Sequence, residues 1–249
     1  MNLQRKNQVG KLSKSDNFSK KLGLSNCYSK QEFHVPDITQ AAPLVKDYLA
    51  GNPLNVAPVE GPTRDILVCT HGSHDKCCAK YGNPFYRQAL ATVSDLSLSQ
   101  VRVWQASHIG GHRFAPTAID FPEGRYYGYL DSASFASILT QTGNIHGLKN
   151  VYRGWGILPF PVQFLERDLI WQHGWDWFKY KVTGQIVEQN DSETFYRVEL
   201  TFETPQRERH TYKADVMADE SKTIYLKGSC NSEKESQVTQ YIVENLVRI

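Results

Sequence analysis

The chain has 249 residues, of which 40% are hydrophobic, 12% aromatic and 22% charged, and its formal net charge is +2. That length supports one medium domain or two small ones around a real core, and the composition is that of an ordinary soluble globular protein. So small a charge argues no nucleic-acid partner, no segment approaches the roughly 18 apolar residues of a membrane span, and five cysteines, three of them within ten residues, make a poor disulfide framework and point to a reducing cytoplasm.

Residues 1–30 carry seven lysines and arginines against Asp16 alone, a local charge of +6, and read as a basic, polar, flexible lead. A helix is expected over 36–51, with Asp37 near its start, Ile38, Ala41, Ala42, Val45 and Leu49 on its apolar face and Gly51 as its stop. Ile66, Leu67 and Val68 form a buried strand ending at Cys69. A helix follows from Asn83, which would cap it, with Pro84 in its first turn. Alternation over 100–108 predicts a strand, 110–131 a hairpin turning at Pro122–Gly124, and 132–142 a short helix. This β-α-β-β-β-α order is an α/β arrangement, and the thioredoxin-like fold is its natural candidate.

The remainder reads differently. A long aromatic helix is expected over 161–181, with Trp171, Trp175 and Trp177 in packing roles, then strands at 181–189, 195–203, 209–217 and 222–227 and a closing helix at 232–247. The expected organisation is therefore the lead 1–30, an α/β domain 31–178 and a small β-rich subdomain 179–249.

Two short stretches carry the chemistry: CTHGSHDKCC at 69–78 and HIGGHRFA at 108–115. Cys69 ends a strand, while Cys77 and Cys78 sit just before a helix, where backbone N–H groups favour a thiolate. His108 and His112 bracket two glycines at the end of the next strand, so both pairs can converge at one end of a sheet as four soft or borderline donors. A structural zinc site prefers cysteines two to four residues apart. Cys69 and Cys78 have eight residues between them, a loop that suits something larger than one ion, and a 2Fe–2S cluster with two thiolates on one iron and two imidazoles on the other meets it. His71 and His74 read as loop polars or proton relays. Arg113 reads either as a charge beside the site or as the partner of Asp120 or Asp131, and Cys27 and Cys230 as structural and unpaired.

CTHGSHDKCCAKYG and HIGGHRFAPTAIDFPEGRYYG, with YRGWGILPFPVQFLER at 152–167, resemble the signature segments of the sucrase/ferredoxin-like family over roughly 30–175. The resemblance implies a thioredoxin-like ferredoxin domain. In it the second ligand pair is either C-x3-C or, as at His108-x3-His112, H-x3-H around a bis-histidinyl, non-Rieske cluster. Relatives often carry R-D-x-x-C in the first loop, with the ligand cysteine third after the aspartate; Asp75 then makes Cys78, rather than Cys77, the ligand. This chain departs in having His74 in the place of that arginine and a lead shorter than the usual N-terminal portion. The implied ligand set is Cys69, Cys78, His108 and His112, and the implied cofactor a 2Fe–2S cluster.

The expected function is one-electron transfer or redox sensing with an unidentified redox protein as partner, more electron carrier than catalyst. Neutral imidazoles in place of two thiolates raise the potential above the roughly −400 mV of all-thiolate plant-type ferredoxins and make it pH-dependent. The alternatives are a thioredoxin-like thiol enzyme built on Cys77 and Cys78, which lack the usual C-x-x-C, and a structural zinc-binding module. Nothing marks the carboxylate pair that glycoside hydrolysis needs.

Overall fold

The computed structural model describes residues 12–13, 23–59, 61, 63–228, 230 and 232–249. Most of the basic lead lies outside the described residues. Two compact units are present: residues 1–20 with 28–63, and residues 21–27 with 64–249.

In the first unit β1 (Leu12–Ser13) pairs antiparallel with β2 (Lys30–Gln31). A 3-10 turn, Ile38–Gln40, starts where the Asp37 carboxylate accepts the Thr39 N–H at 2.8 Å, and leads into α1 (Ala41–Ala50). Gly51 closes α1 with φ +73°, a left-handed conformation that glycine adopts without a Cβ clash. The apolar face differs from the expected one. Leu44 and the partly buried Tyr48 pack on Phe33 and Val35, while Ile38 and Leu49 are exposed. The seam is the i, i+4 pair that reaches Phe33, whose ring meets Tyr48 edge-on at 6.1 Å.

The second unit holds a five-stranded sheet made of β3 (Arg64–Cys69), β4 (Val101–Ala106), β5 (Ala118–Phe121), β6 (Arg125–Tyr127) and β7 (Tyr152–Trp155), in the order β4-β3-β5-β6-β7. β3 runs parallel to β4 and antiparallel to β5, and β6 continues antiparallel. Being central, β3 is the continuous apolar run the sequence predicts, with Ile66 and Val68 fully buried. α2 (Lys76–Asp95) connects β3 to β4, and α3 (Ser132–Thr140) follows β6, capped by Asp131 and Ser134 in a capping box.

α2 begins well before the expected Asn83. Asp75 is the true N-cap, its carboxylate accepting the Cys77 N–H at 2.9 Å, so Pro84 lies inside the helix and Asn83 donates to the Ala79 carbonyl. Proline lacks an N–H, and a helix tolerates that loss where packing holds it; here Phe85 and Ala89 on the next turn are fully buried.

The expected helix at 161–181 is α4 (Val162–His173), followed by a 3-10 segment, Gly174–Lys179. Gly174 (φ +62°) breaks it, and the turn aims the Trp177 indole N–H at Glu166 at 2.9 Å. Glu166 also meets Arg125 at 3.2 Å and Tyr152 at 3.0 Å, a charged network buried between α4 and the sheet. Trp155 and Trp177 are fully buried, as packing roles require.

A second, antiparallel sheet follows in the order β11-β10-β9-β8: β8 (Lys181–Gln189), β9 (Phe195–Glu203), β10 (Arg209–Lys227) and β11 (Glu235–Arg248). Two expectations fail here. The strands expected at 209–217 and 222–227 are one, β10, with a register shift between Asp219 and Ile224. The expected closing helix is β11. Val238, Thr239, Ile242, Val243 and Val247 are β-branched and ladder against β10 from Tyr212↔Arg248 to Lys227↔Glu235, so cross-strand pairing overrides a helical reading. Val198, Leu200 and Phe202 of β9 join Ile66, Val68, Trp155 and Leu165 in one core.

Candidate metal centre

The site lies at the carboxyl end of β3 and β4 and the amino end of α2. Cys69 is the last residue of β3; its N–H is held by the Thr117 carbonyl at 3.0 Å, and its side chain is buried. The loop 70–75 then turns back, and Cys78 sits in the first turn of α2, fully buried. Gly82, one turn on, lets the helix lie directly on the Cys69 carbonyl: a Cβ there would stand 3.1 Å from the carbonyl carbon and well inside the contact distance of its oxygen. The two sulfurs are thereby brought together by a helix-to-strand contact that only glycine permits.

β4 delivers His108. Gly110 and Gly111 follow with φ of +86° and +66°, turning the chain so that His112 opens a 3-10 turn on the same side. The Cys78 sulfur stands 3.9 Å from His108 Nδ1. Ligand atoms of Cys69, Cys78 and His108 all lie within 4.8 Å of one another, and those of His74, His108 and His112 form a second such group. His108 thus joins the cysteine pair to the imidazoles, with ring centroids 3.8 Å from His74 and 5.3 Å from His112.

Burial sets the protonation of the donors. Burial, then the hydrogen bond with Cys69, pushes the Cys78 thiol up to about 12. Burial and the Cys230 thiol push Cys77 up to about 12 as well. The helix N-terminus was expected to favour the thiolates, and burial outweighs it. Neither thiol is a ready nucleophile near neutral pH, whereas a metal displaces such protons outright. His108 is lowered, by burial first and then by the neighbouring His74, His112 and His71, so its imidazole is neutral and able to ligate. His112 Nδ1 is buried and has no hydrogen-bond partner, an orphaned donor or acceptor of the kind a metal satisfies.

Three residues at this end were undervalued by sequence reasoning. His74 lies against His108, ring centroids 3.8 Å apart and planes tilted by 35°, and belongs to the imidazole group; its spacing from Asp75 and Cys78 was the signal available. Asp75 is buried, caps α2 and lies 3.7 Å from His112 Nε2. Cys230, on the turn between β10 and β11, reaches Asp75 Oδ1 at 2.5 Å, and no local pattern announces it. Arg113 makes neither expected ion pair: Asp120 pairs with Arg64 at 2.6 Å and Asp131 caps α3, while the Arg113 guanidinium lies over Phe114.

A buried cysteine pair and converging imidazoles at the end of an α/β sheet define a protein with a possible cysteine/histidine metal site. The chain belongs to the sucrase/ferredoxin-like family, whose model matches residues 3–154. It is 36% identical over 97 residues to "Altered inheritance of mitochondria protein 32" of Debaryomyces hansenii, covering 36% of this chain and 34% of that one. It is 32% identical over 98 residues to the protein of the same name from Meyerozyma guilliermondii, with the same coverage. The aligned region therefore spans about a third of the length of these curated relatives. No solved structure matches the chain. Among the described residues no helix is long and apolar enough to cross a membrane.

Proposed function

We propose that this protein is a one-electron carrier or redox sensor that holds a 2Fe–2S cluster through Cys69, Cys78, His108 and His112. The observation that carries the reading is the convergence of Cys69, Cys78 and His108 from three different elements to within 4.8 Å, in a chain of the sucrase/ferredoxin-like family. The strand order β4-β3-β5-β6 with α2 between the parallel pair and α3 after β6 supports a thioredoxin-like frame. When bound, the cluster supplies a site that gains and loses one electron. The buried cysteines would give up their protons to hold it and would exclude water from that side, while His108 and His112 are only partly buried and leave the other side nearer to solvent, where a redox partner protein would approach. Five free cysteines suit a reducing compartment, the cytoplasm in our reading; the relatives' name refers to the inheritance of mitochondria, and the mitochondrion is the other location to image.

The test is anaerobic, iron-replete expression followed by iron and sulfide analysis, visible absorption and EPR of the dithionite-reduced protein. About two iron and two sulfide per chain are expected, with an EPR signal altered by His112→Cys and iron retained in His74→Ala. A colourless protein holding one zinc, or a cluster that survives Cys78→Ala, overturns the reading. A second reading, a zinc module at Cys69, Cys78 and His108, is favoured by the same close spacing, since three donors so near one point also suit a single ion.

A further inference from the structure

We infer a second metal site beside the first, formed by Asp75, Cys77 and Cys230 and suited to zinc. Ligand atoms of these three residues lie within 4.8 Å of one another, and none of them is a proposed cluster ligand. They come from two places far apart in sequence. Asp75 and Cys77 stand at the amino end of α2, and Cys230 is carried in on the turn between β10 and β11.

The contacts already converge on the point an ion would take. The Cys230 thiol reaches Asp75 Oδ1 at 2.5 Å, the Cys230 N–H donates to Asp75 Oδ2 at 3.3 Å, and the Cys77 N–H points at the Cys230 sulfur at 3.1 Å. The carboxylate is buried, with a relative exposure of 1%, whereas Cys230 is exposed, so an ion has an anionic floor and an open entry. Two thiolates with one carboxylate form a mixed soft and hard donor set for which zinc, a borderline ion, is well matched; calcium and magnesium are not, because they need oxygen donors. Binding exchanges one proton from each thiol for the ion: two thiols and Zn2+ give a zinc dithiolate and two protons. The carboxylate is the third donor, and solvent completes the tetrahedron.

Position gives the site a role. His112 Nε2 faces Asp75 Oδ2 at 3.7 Å and the same nitrogen contacts the Gly228 carbonyl two residues before Cys230. A zinc ion here would pin the β10–β11 turn against the amino end of α2 and fix the carboxylate that faces His112, linking the C-terminal sheet to the histidine loop.

The test uses the full chain, purified with a reductant and analysed for zinc, with cobalt substitution to read thiolate-to-metal charge transfer. The expected result is one zinc per chain. Outer-shell changes already weaken metal sites by about 10–100-fold, so Cys230→Ser and Cys77→Ser should each weaken binding by at least that much, with iron content unchanged. Cys27→Ser should leave zinc in place. Absence of zinc overturns the proposal, as does zinc that persists in Cys230→Ser, which would then occupy Cys69, Cys78 and His108. The dependence on Cys230 keeps this outcome separate from the cluster reading, which does not involve that residue.

Discussion

Gly82→Ala is the sharpest probe of how the fold makes the site. Its Cβ would press into the Cys69 carbonyl, with 3.1 Å to the carbon and an impossible approach to the oxygen. Ordinary C···O contact is about 3.3 Å, so α2 must withdraw from β3 by on the order of 1 Å, carrying Cys78 away from Cys69. Metal–ligand distances tolerate only about 0.2 Å. Overpacking costs about 1–3 kcal/mol, and alanine returns up to about 1 kcal/mol of helix propensity. A net loss of up to about 2 kcal/mol lowers Tm by up to roughly 8 °C in a chain of this size. The assay is iron, sulfide and zinc content beside a thermal melt, with Gly147→Ala as control because nothing lies within 4 Å of its added Cβ. The expected variant is folded, slightly less stable and largely stripped of iron. Undiminished metal content in Gly82→Ala would refute the claim that this contact sets the sulfur spacing.

Three further outcomes are expected. Cys78→Ala abolishes iron binding while Cys77→Ala retains it, checked by iron-to-protein ratio; loss in both would mean that Cys77 is needed for folding or ligation. Glu123 is pushed up to about 7 by burial and the Asp120 carboxylate, so the folded state holds its proton more tightly than the unfolded chain. Stability from this group is present below the unfolded value near 4.5 and is lost as pH rises through about 7. Glu123→Gln should then gain on the order of 1–3 kcal/mol at pH 8 relative to pH 5, read by urea unfolding at both; an unchanged difference would show the carboxyl is not strained. Glu166→Ala removes the partner of the buried Arg125 and should cost about 3–5 kcal/mol, seen as a large fall in urea midpoint, and an effect below about 1 kcal/mol would place the pair in solvent.

Much of the first sheet and its helices was legible. Ile66–Val68, the alternation over 101–106 and the short helix that follows Asp131 are local patterns of burial and hydrogen bonding, and each structure follows from a few neighbouring residues. The paired motifs likewise placed Cys69, Cys78 and His108 at element ends that meet. What failed was decided at long range. Asn83 and Pro84 look like a helix start in isolation, yet Asp75 caps α2, and the added turns bury Cys78 and seat Gly82 on the Cys69 carbonyl. Residues 235–248 are read as helix or strand according to whether a partner strand exists, and β10 supplies it.

The sequence by itself determined the donor types, the glycines that let them approach and the strand-helix-strand order that aims Cys69, Cys78 and His108 at one place, because these depend on side-chain chemistry and local backbone preference. Only the tertiary structure decided that His74 packs against His108 and that Cys230 meets Cys77 and Asp75 across more than 150 positions. The physical reason is that such contacts arise from the packing of whole sheets. That packing brings the β10–β11 turn to the amino end of α2, and no periodicity within either segment encodes it.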